Sequence, residues 1–126
     1  PEKILNDVEK QIGRRILLQT KTLILTPRYL VELSDDICAI IPLPEVLWIY
    51  DHAAMRRTIK GRQLSYTIHV VTMKGEEYTL TGKSHREVSA IYHELNTRYP
   101  NFFFGYSKEH QEMVQYVLHE MKNEKA

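Results

Sequence analysis

Between Gln63 and Met73 the side chains alternate in kind. Leu64, Tyr66, Ile68 and Val70 fall on one side, and Ser65, Thr67 and His69 on the other. A period of two belongs to a half-buried β-strand, because successive side chains leave a strand on opposite faces. Lys74-Gly75 follows and offers a tight turn, with Gly75 free to take a positive φ. Glu77 to Thr81 then returns, with Tyr78 and Leu80 directed to the same apolar side. A chain that holds this hairpin needs an antiparallel sheet with a covered face.

The rest of the chain reads around that hairpin. Residues 2–12 predict a helix, with Ile4, Leu5, Val8 and Ile12 on one face and Gly13 as its stop. Short strands are predicted at Leu23–Leu25, Tyr29–Leu33, Ile37–Ile41 and Glu45–Tyr50. Pro27 and the cluster Ser34-Asp35-Asp36 separate the first three of these, because a proline cannot donate to a ladder and Ser and Asp favour turns. The strand at Glu45–Tyr50 is apolar on both faces, which predicts a doubly covered position. Residues 51–61 read as a polar loop. Ser84-His85-Arg86-Glu87 matches a capping box and opens a helix whose stripe is Val88, Ile91, Tyr92, Leu95 and Tyr99, ended by Pro100. An aromatic connector follows, and Ser107 opens a last helix to about Asn123. Helix, about six strands, helix, helix is an α+β order with no domain boundary in it.

Composition sets limits. With 126 residues, the chain can bury roughly two-thirds of its unfolded surface and needs no disulfide or metal to fold. Cys38 is the only cysteine, which excludes an internal disulfide and a cysteine-based zinc site. It stands in the apolar run Ile37–Ile41 and reads as a buried, inert thiol, with a reducing compartment favoured. Net charge is +1, from 17 basic and 16 acidic side chains, too balanced for a dedicated nucleic-acid binder. No stretch approaches the roughly 20 apolar residues that span a bilayer. The chain begins at Pro1 without Met, as a piece of a longer protein does, and a removed membrane segment leaves no trace in such a piece.

Several local patterns carry a resemblance. Leu25-Thr26-Pro27-Arg28-Tyr29-Leu30-Val31, Ile41-Pro42-Leu43-Pro44-Glu45-Val46-Leu47-Trp48-Ile49-Tyr50 and Val71-Thr72-Met73-Lys74-Gly75-Glu76-Glu77-Tyr78-Thr79-Leu80 resemble, in that order, the opening hairpin, the middle strand and the last hairpin of bacterial pleckstrin-homology-like (PH-like) domains. The segment Tyr99–Ser107 resembles a feature of an uncharacterised subgroup with that core. The resemblance implies an antiparallel PH-like roll or barrel of about six to seven strands closed by a C-terminal helix. A first helix and a last helix are additions to it. It further implies a non-catalytic binding or assembly module without a cofactor, in the cytoplasm or at the cytoplasmic face of a membrane. Some such modules are the soluble part of membrane-tethered proteins.

No catalytic set stands out among the residues. His85 and His93 lie about 12 Å apart along one helix, too far to share a metal, and His110 and His119 have the same problem. Asp51 and His52 are adjacent in a strand-like stretch and so cannot orient one another toward Ser65 or Thr67. Two clusters remain. Arg56, Arg57, Lys60 and Arg62 place four cations within seven residues, suited to anionic lipid or another phospholigand, to an acidic protein or nucleic acid, or simply to solvent. Phe102, Phe103, Phe104 and Tyr106, with Tyr99, either seal the seam between helices and sheet or mark a protein interface. The expected partner is a protein or an anionic membrane, with self-association left open. A small-molecule or enzymatic α+β domain with a cavity between sheet and C-terminal helices is the alternative.

Overall fold

The computed structural model describes residues 2–34 and 37–125. Asp35 and Asp36 of the predicted turn, and the side chain of Cys38, lie outside the described residues. The elements are α1 (Glu2–Arg14), β1 (Leu18–Gln19), β2 (Leu23–Leu25), β3 (Tyr29–Ser34), β4 (Ile37–Pro42), a 3-10 turn (Leu43–Glu45), β5 (Val46–Thr58), β6 (Gly61–Thr72), β7 (Glu77–Lys83), α2 (His85–Arg98), β8 (Phe103–Phe104) and α3 (Lys108–Lys125). Two four-stranded sheets result, in the orders β1-β2-β3-β4 and β7-β6-β5-β8. Every pairing is antiparallel except that of β5 with β8. The α+β class and the antiparallel hairpins therefore stand. The ladder does not close into a barrel, since each sheet keeps two open edges.

The apolar side chains sort into three layers. Leu23, Leu25, Leu30, Ile41, Ile49, Ile68, Val70 and Leu80 from both sheets meet Val88, Ile91 and Leu95 of α2 in one central core. Ile24, Tyr29 and Val31 turn to the other face of the first sheet and meet Val8 of α1, flanked by Ile4 and Ile12. Leu47, Trp48 and Val71 do the same on the second sheet and meet Val114 of α3, with Val117 and Leu118 beside it. This explains why β2 is buried at all three positions and β5 at its first four. A strand covered on both faces loses the polar half of its alternation.

The predicted hairpin is present as β6 and β7, joined through Thr72–Glu76 with Gly75 at φ +83°. The polar loop predicted for residues 51–61 is corrected. β5 runs on through Asp51 to Thr58 and β6 starts at Gly61, in continuous register from Tyr50↔His69 to Thr58↔Gly61. From Ala54 to Thr58 every residue of β5 is exposed and the ladder carries the strand, so no apolar alternation marks that stretch in the sequence.

Two polar features tie the layers together. Lys83 at the end of β7 donates to Glu32 of β3 at 2.7 Å, with side-chain exposures of 0% and 5%. This buried ion pair joins the two sheets. At the start of α2, Ser84 and Glu87 form the predicted capping box. Glu87 does more than cap: Thr20 and Thr22 donate their hydroxyls to its Oε2 at 2.6 and 2.8 Å, which anchors α2 to the β1–β2 turn. Burial opposes the charge on Glu87, but the hydrogen bonds from Thr20, the Ser84 amide and Thr22 outweigh it and hold the carboxyl below its ordinary value. A carboxyl that binds protons more weakly folded than unfolded stabilises the fold above its unfolded pKa. That contribution disappears as pH falls through the folded pKa. Melting temperature is thus expected to drop below about pH 4.3. Thr20→Val is expected to shrink that acid-dependent step, seen by circular dichroism at a series of pH values; an unaltered step contradicts the role of Thr20.

Candidate functional site

β7 stops pairing with β6 at Tyr66↔Lys83, and β8 pairs with β5 only at Trp48 and Ile49. Beyond those points β5 and β6 continue alone for five rungs, from Ala54↔Ser65 to Thr58↔Gly61. At about 3.4 Å per residue, this is a two-stranded arm roughly 17 Å long. Ile59 and Lys60 make its turn. Gly61 completes that turn at φ +115°, a conformation side-chain-bearing residues avoid, and Thr58 Oγ1 donates to the Gly61 carbonyl at 2.9 Å.

All four predicted cations, Arg56, Arg57, Lys60 and Arg62, are carried by this arm and are exposed. From Ala53 to Ser65 there is no acidic residue. Among the described residues none of the four pairs with an acid. Arg57 and Arg62 stand directly opposite each other, an arrangement that disfavours the free arm. The register puts them on the same face as Met55 and Leu64, which are 61% and 54% exposed. That face continues the core side of the sheet, whose next residues inward include Tyr66, packed on the central core. Ile59 at the tip is fully exposed. Sequence reading found the cations and placed Leu64 on the apolar face of its strand, but did not show that Met55 and Leu64 stand opposite each other on an exposed arm, because that follows from the cross-strand register.

At the root of the arm, on its opposite face, lies a stack of rings. Tyr50 packs on Trp48 with centroids 4.2 Å apart and on His69 at 4.6 Å. His69 Nε2 meets His52 Nδ1 at 3.0 Å. On the far side of the His69 ring, Nδ1 is 3.7 Å from Glu77 Oε1. Burial and the neighbouring His52 push the His69 pKa down, against the pull of Glu77. Helical spacing drew attention to His85, His93, His110 and His119. The pair that meets is instead cross-strand, and the register of the extended hairpin is the signal that locates it. His85 lies edge-on to Tyr66, and His110 Nδ1 is 3.0 Å from the Gly105 carbonyl.

Asp51 and His52 do point to opposite faces. Asp51 accepts a hydrogen bond from Tyr92 of α2, while His52 turns to His69. Burial, then the Asp51 carboxylate, pushes the Tyr92 phenol up, so it stays a donor. Asp51, Tyr92, His93, Asn96 and Phe104 line an open cleft of about 380 Å³ between β5 and α2.

The aromatic connector is divided. Tyr99 stacks on Phe102 at 5.0 Å, and Phe102 and Phe104 pack on the central core. Phe103 packs with Trp48 against α3. These rings seal the seam between the helices and the second sheet. Tyr106 remains exposed, lying on Trp48 at 5.9 Å.

Among the described residues no helix is long and apolar enough to cross a membrane. No curated protein and no solved structure matches the chain. Residues 16–114 match a family described as a domain of unknown function, a stretch that begins just after α1 and ends at Val114 on α3. By that match, which covers most of its length, the chain belongs to the DUF6709 family.

Proposed function

We propose that the chain is a non-catalytic, PH-like binding module that docks on an anionic membrane surface through the β5–β6 arm. The observation that carries this reading is the arm itself: four cations that pair with no acid among the described residues and three exposed apolar side chains, on a projection without a core beneath it. Cations held beside exposed apolar side chains suit a lipid interface, where charge meets headgroups and the apolar tip meets the acyl boundary. Arg57 and Arg62 sit about two rungs behind Ile59, roughly 7 Å, which matches phosphate depth above an inserted tip.

The PH-like part of the reading is supported by the order of elements. Consecutive antiparallel strands form two sheets that share one core, and the capped α2 contributes Val88, Ile91 and Leu95 to it. The reading as a module rather than an enzyme rests on the divergence of Asp51 and His52. The cleft beside Asp51 favours the second reading, a small-molecule domain, but its one carboxylate is already engaged by Tyr92.

Co-sedimentation tests the proposal. The full chain is expected to pellet with phosphatidylserine-containing vesicles at low salt and to stay in solution with pure phosphatidylcholine vesicles. Equal recovery with both, or none with either, rejects membrane docking by the arm. Recovery by an acidic peptide column without vesicle binding assigns the arm to a protein partner instead.

A further inference from the structure

We propose that His52 and His69 form a binding site for one divalent transition-metal ion of the copper and zinc type, at the root of the arm. His52 Nδ1 and His69 Nε2 face each other at 3.0 Å. Two metal–nitrogen bonds of about 2.1 Å, meeting between a right and a tetrahedral angle, hold their nitrogens about 3 to 3.4 Å apart. The two imidazoles are therefore already spaced as a chelate. His52 is exposed, so its ring can turn to aim its lone pair. The His69 ring is held between Tyr50, 4.6 Å away, and His52, 5.0 Å away.

Glu77 completes the logic of the site. Its Oε1 lies 3.7 Å from His69 Nδ1, the nitrogen turned away from His52. Metal-binding histidines commonly give their other N–H to a carboxylate, which fixes the tautomer and leaves the inner nitrogen as a ligand. His69 Nδ1 is buried and makes no hydrogen bond as it stands, so a small approach by Glu77 satisfies it. One proton now lies between the two inner nitrogens. When the ion binds, that proton moves to the outer nitrogen of the same ring, both inner nitrogens present lone pairs, and nothing is oxidised or reduced.

Among the described residues no third His, Cys, Asp or Glu joins the pair. Water fills the remaining positions, so the ion is exchangeable rather than structural. Imidazole ligation selects copper above zinc and discriminates against magnesium and calcium, which need oxygen ligands. The ion spans β5 and β6, fastening the arm where it leaves the body.

Titration of the full chain with zinc chloride, followed by histidine ring nitrogen shifts in NMR, tests the proposal. One zinc per chain is expected, with the His52 and His69 ring signals moving together and magnesium causing no change. His52→Ala, at an exposed position, is expected to remain folded and to abolish this binding. Glu77→Gln is expected to weaken it about tenfold, whereas His93→Ala leaves it unchanged. Zinc affinity retained in His52→Ala, shifts confined to other histidines, no zinc binding at all, or displacement by magnesium each overturns the assignment.

Discussion

Lys83→Met is expected to destabilise the fold by about 3–5 kcal/mol, the cost of leaving one member of a buried ion pair without its partner. Glu32 is 5% exposed and its Oε1 accepts from Lys83 at 2.7 Å and from the Leu33 amide at 3.1 Å. Without Lys83 the buried carboxylate keeps, among the described residues, one amide donor, that of Leu33. Domains of this size are stable by only about 5–15 kcal/mol, so the loss is a large share of the total. It corresponds to a fall in melting temperature of roughly 10–20 °C. The double variant Glu32→Leu with Lys83→Met removes both charges and is expected to recover most of the loss, since a buried pair contributes little beyond an apolar pair of similar volume. Urea unfolding of both single variants and the double variant measures the coupling. A single variant that loses under 1 kcal/mol would show that the pair is solvated. The pair also stands at the root of the arm. It fastens the end of β7 to β3, and Lys83 stands opposite Tyr66, where the arm begins.

What could be read in the sequence follows from where a core lies. The helix of α1, the strands β2, β3 and β4, the β6–β7 hairpin and the capping box at Ser84 all leave local marks, because each sets apolar side chains at a fixed period or a cap at a fixed offset. The alternation of β3 was visible too, but not that both of its sides are covered. Glu32 shares the central-core side with Leu30, and the charge that balances it there is Lys83, fifty-one positions away. Thr20 and Thr22 reach Glu87 across a similar gap. Partners so distant leave no sequence pattern. The two-residue strands β1 and β8 are too short to show a period. The β5 half of the arm, Ala54 to Thr58, failed as a strand prediction for the opposite reason: it has full register but no buried face, whereas Gln63 to Ser65 of its β6 half were read as strand. Its chemistry, four cations without an acid, was legible; its shape was not.

That shape sets the size of the last expected effect. Changing Arg56, Arg57, Lys60 and Arg62 together to Gln is expected to weaken binding to phosphatidylserine vesicles about a thousandfold. Each cation near an anionic leaflet contributes about 1 kcal/mol, and four of them about 4 kcal/mol, at about 1.4 kcal/mol for each factor of ten. The fold should not suffer. The four side chains are exposed and none pairs with an acid among the described residues, so stability is expected to stay within about 0.5 kcal/mol of the parent. Removing the Arg57–Arg62 opposition even favours the arm. Ile59→Ser probes the other half of the contact. Loss of a buried Ile side chain removes about 1.5–3 kcal/mol, or roughly a tenfold to a hundredfold in affinity. The two variants differ in salt response. Exposed charges are screened over about 10 Å at 0.1 M salt, so Ile59→Ser keeps the salt dependence of the parent and the four-fold charge variant loses it. If neutralising the four cations leaves co-sedimentation unchanged while melting is also unchanged, the arm is not the docking element. If instead Ile59→Ser is silent and the charge variant is not, the arm touches headgroups without entering the membrane, and Met55 and Leu64 need a different occupant.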